Sequence, residues 1–499
     1  MIYAFIAVVA VLAATMVHGE SDFSQRMIGF GKHKLMNQEN SGVLLKKYKG
    51  SYSCDNVTEN WFTGAIIDNF APVEKQKNWY GRGQRYFVNK QFWGGNNYPI
   101  FVFIGGEGEE KCTRLTASMY MYTLAQEHRA LLIDVEHRFY GQSIPTPDTS
   151  TENLQYLSSA QALADLARII SFIKKQYDTV NSRVITVGGS YPGNLAAWFR
   201  LKYPHVTHGS IASSAPVIAQ TNFPEYMDVV GQAILHFSGQ KCYNNIQLAA
   251  EIINSYLLQG FGSAGMKKIE TDFQLCSPMN NDLDVSIFLS DVMGNVQGTV
   301  QYNNEHNGVL NVTDICKVMT ATDDAYANMV ELQKQYRQAN GQECEDGNWD
   351  DTVKALKTTG AGRSWTYQTC NEFGYYQTTD SPNQPFHSWK WLDLNFSRVI
   401  CAAAFDGWQS DPQVEWINEY YGATQIAGTN IALPSGTIDP WHALGVTNVT
   451  QPLPQDSEVK VYIEGTAHCN DLYAPASSDP ASLTFARQVI ADEVKKWLA

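Results

Sequence analysis

The chain has no excess of positive charge. Its 36 Lys and Arg stand against 50 Asp and Glu, a net charge of −14 at pH 7 over 499 residues. No basic stripe is visible, which argues against nucleic acid as a partner; the acidic balance reads as a strongly hydrated surface. Paired Cys-x-x-Cys spacings are absent as well. The nine cysteines are scattered at 54, 112, 242, 276, 316, 344, 370, 401 and 469, so no zinc site and no cofactor are expected. Beyond the N-terminus no stretch approaches 18 uninterrupted apolar residues, and no membrane span is expected.

What is present points outward from the cytosol. Residues 1–19 form an apolar run ending in Val17-His-Gly19, without a basic residue ahead of it, and read as a signal peptide. Scattered cysteines behind a signal peptide imply disulfides, and an odd count leaves at least one thiol free or paired between chains. Four sequons, at Asn56, Asn311, Asn395 and Asn448, agree with a glycosylated, secreted or lysosomal protein. An assembly of copies stays open, with no interface signal in the sequence. Aromatics at 12% and apolar residues at 44% exclude a disordered chain and allow a large core with a second domain or insertion.

Residues 20–50 carry little apolar periodicity and read as a lead-in. Strand-like pieces around Ile66, Phe70 and Tyr86-Phe-Val88 suggest the antiparallel edge of a sheet. Pro99-Ile-Phe-Val-Phe-Ile104 and Ala130-Leu-Leu-Ile-Asp-Val135 are apolar runs of the kind found in sheets covered on both faces. Ser158 and Gln161 predict a capping box, and Leu163, Leu166, Ile170, Ile173 and Tyr177 recur at helical steps behind it. Strands alternating with helices imply an α/β sheet, mostly parallel. Between residues 216 and 395 the pattern turns helical and five cysteines gather, which reads as a helical cap inserted between hydrolase segments 51–215 and 396–499. Strand patterns return at Asn430–Leu433 and Val459–Ile463, and Leu483, Ala486, Ile490, Val494 and Trp497 form one stripe of a closing helix.

The chemistry centres on Val184-Ile-Thr-Val-Gly-Gly-Ser-Tyr-Pro-Gly193, a strand, a glycine-flanked turn and a helix start at about Asn194. This is the context of a nucleophile elbow, in which the turn lifts Ser190 off the sheet and the N–H of Tyr191 faces a developing oxyanion. Pro192 stands where a strict pattern has glycine; at the first turn of a helix its missing N–H costs nothing. A second oxyanion N–H is expected from the turn Gly105-Gly-Glu-Gly108, at Gly106. A serine nucleophile needs a base, and the base an orienter. Asp439 and His468 each follow a late strand, in the order Ser, acid, His. His442 lies too close to the acid, His137 precedes the serine, and Asp406 precedes the acid's strand. Trp441 and Tyr191 are candidate walls for a pocket that takes proline, and Glu107 is a candidate anchor for a peptide's terminal amine.

Together, Gly188-Gly-Ser-Tyr191 with Leu195-Ala-Ala-Trp198, Glu136-His-Arg-Phe-Tyr-Gly-Gln-Ser143, Thr366 through Gln377, Asp439-Pro-Trp441 and Gly465 through His468 resemble the family of prolyl carboxypeptidase, dipeptidyl peptidase II and thymus-specific serine protease. Asp-Pro-Trp-His and Ala-His-Cys lie nearest the thymus-specific branch. The resemblance implies an α/β-hydrolase sheet with a helical insertion, a Ser190–Asp439–His468 triad, and an exopeptidase acting on peptides after proline. Two further readings are a non-peptidase ester hydrolase and a catalytically idle secreted protein of the same fold.

Overall fold

The computed structural model describes residues 53–303 and 310–499. The expected signal peptide and the lead-in at 20–50 lie outside the described residues. An eight-stranded sheet carries the fold, in the order β1-β2-β4-β3-β5-β6-β9-β10. Its strands are β1 (Val57–Phe62), β2 (Gln84–Asn89), β3 (Ile100–Ile104), β4 (Leu131–Val135), β5 (Val184–Gly189), β6 (Gly209–Ser213), β9 (Ile431–Gly436) and β10 (Glu458–Ile463). β1 and β2 join antiparallel, and every pairing from β4 to β10 is parallel. The antiparallel edge is where the sequence places it, but two of its expected pieces are not strands. Ile66 makes only an isolated bridge to Asn78, and Phe70 lies 61% exposed in a turn. Apolar residues there are too few and too interrupted to cover a sheet face.

β3, β4 and β5 are wholly buried. Alternate side chains feed two apolar clusters, Ile100, Val102 and Ile104 into one and Phe101 and Phe103 into the other, as the two-residue side-chain period requires. Helix α1 (Ser159–Gln176) covers the first cluster with Leu163, Leu166, Ile170 and Ile173. Ser158 caps it by accepting from the Gln161 N–H at 3.3 Å. The box is only half formed, because the Gln161 side chain turns away to Asn69 and Asp68. Helix α2 (Tyr191–Lys202) starts three residues earlier than the sequence suggests, directly after Ser190.

Between β6 and β9 the chain is mostly helical. It includes Glu225–Leu257, broken at Gly239, and α3 (Asp282–Gln301). A small parallel pair, β7 (Gln220–Asn222) with β8 (Gly374–Tyr376), forms here without a sign in the local pattern. Helix α4 (Leu394–Ala404) runs across residue 395, and Cys370–Cys401 ties it back to the region before it. The other disulfides are Cys54–Cys112, Cys242–Cys316 and Cys276–Cys344; Cys469 is free of disulfides and buried. The closing helix α5 (Ala481–Leu498) buries all five residues of its predicted stripe. Among the described residues, no helix is long and apolar enough to cross a membrane, and no group of three or more His, Cys, Asp or Glu is placed to hold a metal.

Candidate active site

Ser190 occupies the turn between β5 and α2 with φ +65° and ψ −132°, a backbone conformation that L-residues rarely adopt. The turn is held by its own backbone. Ser190 N–H donates to Ser213 O at 2.9 Å, and Gly193 N–H donates to Ser190 O at 2.8 Å. The flanking glycines answer to crowding rather than to freedom of φ. A methyl on Gly188 would overlap the Pro192 carbonyl, and one on Gly189 would lie 2.5 Å from Leu472 and 2.9 Å from Cys469 Sγ. Pro192 fits at the helix start, where its ring presses on Gly106 so closely that a Cβ at 106 has no room. The turn after β3 and the turn after β5 are therefore in contact, with Gly106 at the junction.

Asp439 and His468 come together from the ends of β9 and β10. His468 Nδ1 lies 2.9 Å from Asp439 Oδ2. A carboxylate accepts, so Nδ1 carries the proton and Nε2 presents its lone pair. Asp439 Oδ1 accepts from the Trp441 N–H at 3.0 Å, capping the short turn Pro440–Leu444 and fixing the carboxylate's plane. Gly436, at the end of β9, packs where any side chain would strike Thr466 O. The loop after His468 is tied to β6, next to Ser190: Cys469 N–H donates to Ser214 Oγ at 2.9 Å, and Ser213 Oγ donates to Asp471 Oδ1 at 2.5 Å. Ser190 Oγ and His468 Nε2 are both buried, and neither has a hydrogen-bond partner among the described residues. This set can supply a nucleophile, a base in the right tautomer and an orienter.

The remaining predicted residues take different places. Tyr191 is fully buried, its ring against His137, Trp365 and Phe373. Trp441 is 1% exposed, packed by Phe223, Tyr226 and Tyr375. Neither ring presents open surface here, so as pocket walls both need neighbours to move. Glu107 is 3% exposed and sits close enough to influence His137, Tyr140 and Tyr375. Of the rivals, Asp406 is exposed and accepts from Thr151, and His442 packs on Tyr462. Asn56, Asn395 and Asn448 are exposed, whereas Asn311 is half-buried and caps the helix Val312–Met319.

The sequence assigned no role in the site to several of its neighbours. His137 donates from Nδ1 to Arg138 O at 2.7 Å, which leaves Nε2 to accept from Tyr191 OH at 3.0 Å. Burial pushes its pKa down to about 4 and keeps it neutral. Gln368 donates to the same Tyr191 oxygen at 3.0 Å and accepts from Tyr140 OH at 2.6 Å. Glu372, beside Gln368, accepts from the N–H and Oγ of Ser159 at the start of α1; burial raises its pKa to about 7. Gln301, the last residue of α3, accepts the His468 N–H on its carbonyl at 2.9 Å and holds Tyr226 and Trp441 with its side chain. His137 lies in one quoted motif and Gln368 and Glu372 in another, but no local signal marks Gln301.

The geometry agrees with what the sequence shares with other proteins. A Caenorhabditis elegans relative is 35% identical over 461 residues, covering 87% of this chain and 83% of its own. The human thymus-specific serine protease is 32% identical over 431 residues, covering 83% of this chain and 82% of its own. The human lysosomal Pro-X carboxypeptidase is 31% identical over 441 residues, covering 83% and 84% respectively. Residues 65–490 match the family described as Serine carboxypeptidase S28. With both the sheet and the match running over most of its length, the chain belongs to the serine carboxypeptidase S28 family and is a serine-type peptidase of α/β-hydrolase fold.

Proposed function

We propose that the chain is a secreted or lysosomal glycosylated exopeptidase that cleaves peptides at prolyl bonds through an acyl-enzyme on Ser190. The observation that carries this reading is the pairing of His468 Nδ1 with Asp439 beside a serine held at positive φ. His468 Nε2 takes the Ser190 proton as Oγ attacks the scissile carbonyl, and Asp439 stabilises the imidazolium that forms. The N–H groups of Tyr191 and Gly106 hold the oxyanion, each contributing about 3 kcal/mol to the transition state. His468 then passes its proton to the leaving amine, and water, deprotonated by the same imidazole, releases the acyl group.

A prolyl preference needs apolar walls and no demand for a backbone N–H, which proline lacks. The aromatic group around Trp441 supports that reading, and so does the Pro-X carboxypeptidase among the relatives. Glu107, in the turn that carries Gly106, is proposed to bind the substrate's terminal amine, which favours removal of dipeptides. The disulfides and the exposed sequons at Asn56, Asn395 and Asn448 support a compartment outside the cytosol.

A fluorophosphonate probe tests the reading on the recombinant protein. Labelling is expected for the native chain and absent from Ser190→Ala and His468→Ala; a folded native chain left unlabelled from acid to neutral pH would sink the proposal. Peptides blocked at one end or the other then decide which end is trimmed.

A further inference from the structure

Ser190 Oγ and His468 Nε2 are both buried without a hydrogen bond to each other. Their separation is therefore set by whatever joins the elbow to the histidine loop. Two consecutive residues at the end of β6 make that join. The Ser213 carbonyl accepts the Ser190 N–H at 2.9 Å, and its hydroxyl donates to Asp471 Oδ1, three residues past His468, at 2.5 Å. The Ser214 hydroxyl accepts the N–H of Cys469, next to His468, at 2.9 Å. The Ser214 N–H donates to Pro434 O at 2.7 Å, on the strand β9 that leads to Asp439. Nucleophile, base and acid strand thus meet on one strand end.

The join is stiff. Ser213 and Ser214 are both buried, and Ser214 is held at φ +45°. A methyl on Gly193, in the first turn of α2, would lie 2.5 Å from Ser213 O, so the elbow is already seated closely on the strand end. The carbonyls of the histidine loop are held from α5, where Arg487 donates from Nε to Asp471 O at 3.2 Å and from Nη2 to Asn470 O at 2.9 Å. The bond from Ser214 to Cys469 alone would leave the loop free to turn about it. The second bond, from Ser213 to Asp471, removes that freedom. A hydroxyl donating to a carboxylate makes a short, strong hydrogen bond, and burial strengthens it further. Asp471 Oδ2 has no partner among the described residues, so Oδ1 is the side chain's hold on β6.

Resting on the Ser190 reading, we infer that Ser213 is a positioning residue, whose bond to Asp471 fixes how His468 Nε2 stands to Ser190 Oγ. Without that bond the loop keeps its fold, held by α5 and by Ser214. His468 then leaves the line along which it takes the serine proton. Such a misplacement slows attack and spares the binding of what is attacked.

The test is fluorophosphonate labelling of the full chain at rising probe concentration, read as a saturating rate and a half-saturating concentration. Each protein also has a thermal melt, and Ser190→Ala is the blank. Ser213→Ala removes one hydroxyl and keeps the carbonyl that holds Ser190. It is expected to label about tenfold slower at saturation or worse, with a half-saturating concentration within about twofold of native. Asp471→Leu is expected to match it. Asp471→Asn keeps Oδ1, replaces only the oxygen without a partner, and is expected to label at close to the native rate. Ser210→Ala separates position from stability. Ser210 is buried three residues earlier on β6, and its hydroxyl bonds Thr186 Oγ1 at 2.6 Å, so its loss should lower the melt and leave labelling native. An Asn variant as slow as the Leu variant, or Ser210→Ala as slow as Ser213→Ala, overturns the inference. If Asp471→Leu does not fold, Ser213→Ala and Ser210→Ala decide between them. A native chain that does not label overturns the Ser190 reading and this inference with it; a labelling native chain matched by Ser213→Ala overturns this inference only.

Discussion

Ser190, Asp439 and His468 differ in how much of their geometry they make for themselves. Ser190 is placed by backbone strain, the His468 ring by a 2.9 Å contact to Asp439 and its backbone N–H by Gln301 O. Asp439→Asn keeps the shape but presents an N–H where the imidazole N–H must donate, so the tautomer is lost. Turnover of a peptide substrate should then fall about 10⁴-fold with KM little changed, as steady-state kinetics would read. Glu107→Gln should behave the other way, raising KM for free-amine peptides and sparing blocked ones. Glu372 allows a further test. Its carboxyl has a folded pKa of about 7 against 4.5 in the unfolded chain, so the protonated form is favoured by folding. The stability it contributes is complete below about pH 4.5 and is lost as the pH rises through about 7. Denaturant titrations should show the native chain losing roughly 3 kcal/mol more than Glu372→Gln across that window. Equal losses in the two proteins would remove Glu372 from the account.

The turns after β3, β5, β9 and β10 carry every residue of the site, and glycine crowding sets their shapes. Gly106→Ala forces a methyl into the Pro192 ring, so the two turns must part. Turnover is expected to drop about 10²-fold, on the scale of one lost oxyanion donor, while far-UV circular dichroism stays native. These elements were legible in the sequence because strands buried on both faces are continuous apolar runs. The elbow, the acid turn and the histidine loop also follow their strands at once, with Ser190, Asp439 and His468 at the ends. Other parts were not legible because nothing local specifies them. Gln301 reaches His468 through the packing of α3, and the β7–β8 pairing joins segments more than 150 residues apart. Phe70 misled for the opposite reason, since an aromatic set between Asp68-Asn69 and Ala71-Pro72 imitates a strand without having a face to bury. The Tyr191 and Trp441 rings read as pocket walls because a sequence gives residue type beside the nucleophile and acid, not side-chain direction.

Across the whole molecule, buried carboxyls and buried histidine pull stability in opposite directions with pH. Glu372 and Glu458, each raised to about 7 by burial, favour the fold in acid. His137, lowered to about 4, contributes stability above about pH 6.5 that is lost as the pH falls through 4. Between about pH 4.5 and 6.5 two carboxyls lose stability while one histidine gains it, so these groups place the melting-temperature maximum at about pH 4 to 4.5; a maximum at pH 8 or above would contradict it. Disulfides act locally, each closing a segment of at most 74 residues. Removing Cys370–Cys401, which spans 31 positions, should cost about 3–4 kcal/mol in denaturant titrations. The sheet itself has no such short closure, because β6 pairs with β9 across the 217 residues from 214 to 430. On a ribosome adding about 5–20 residues per second, the flank of β6 waits roughly 10–40 s for its neighbour. Throughout that interval the nascent chain offers a bare β-edge and holds its serine without either Asp439 or His468. The order of synthesis thus makes the growing chain dependent on protection from aggregation and keeps the peptidase idle until its last fifth has been made.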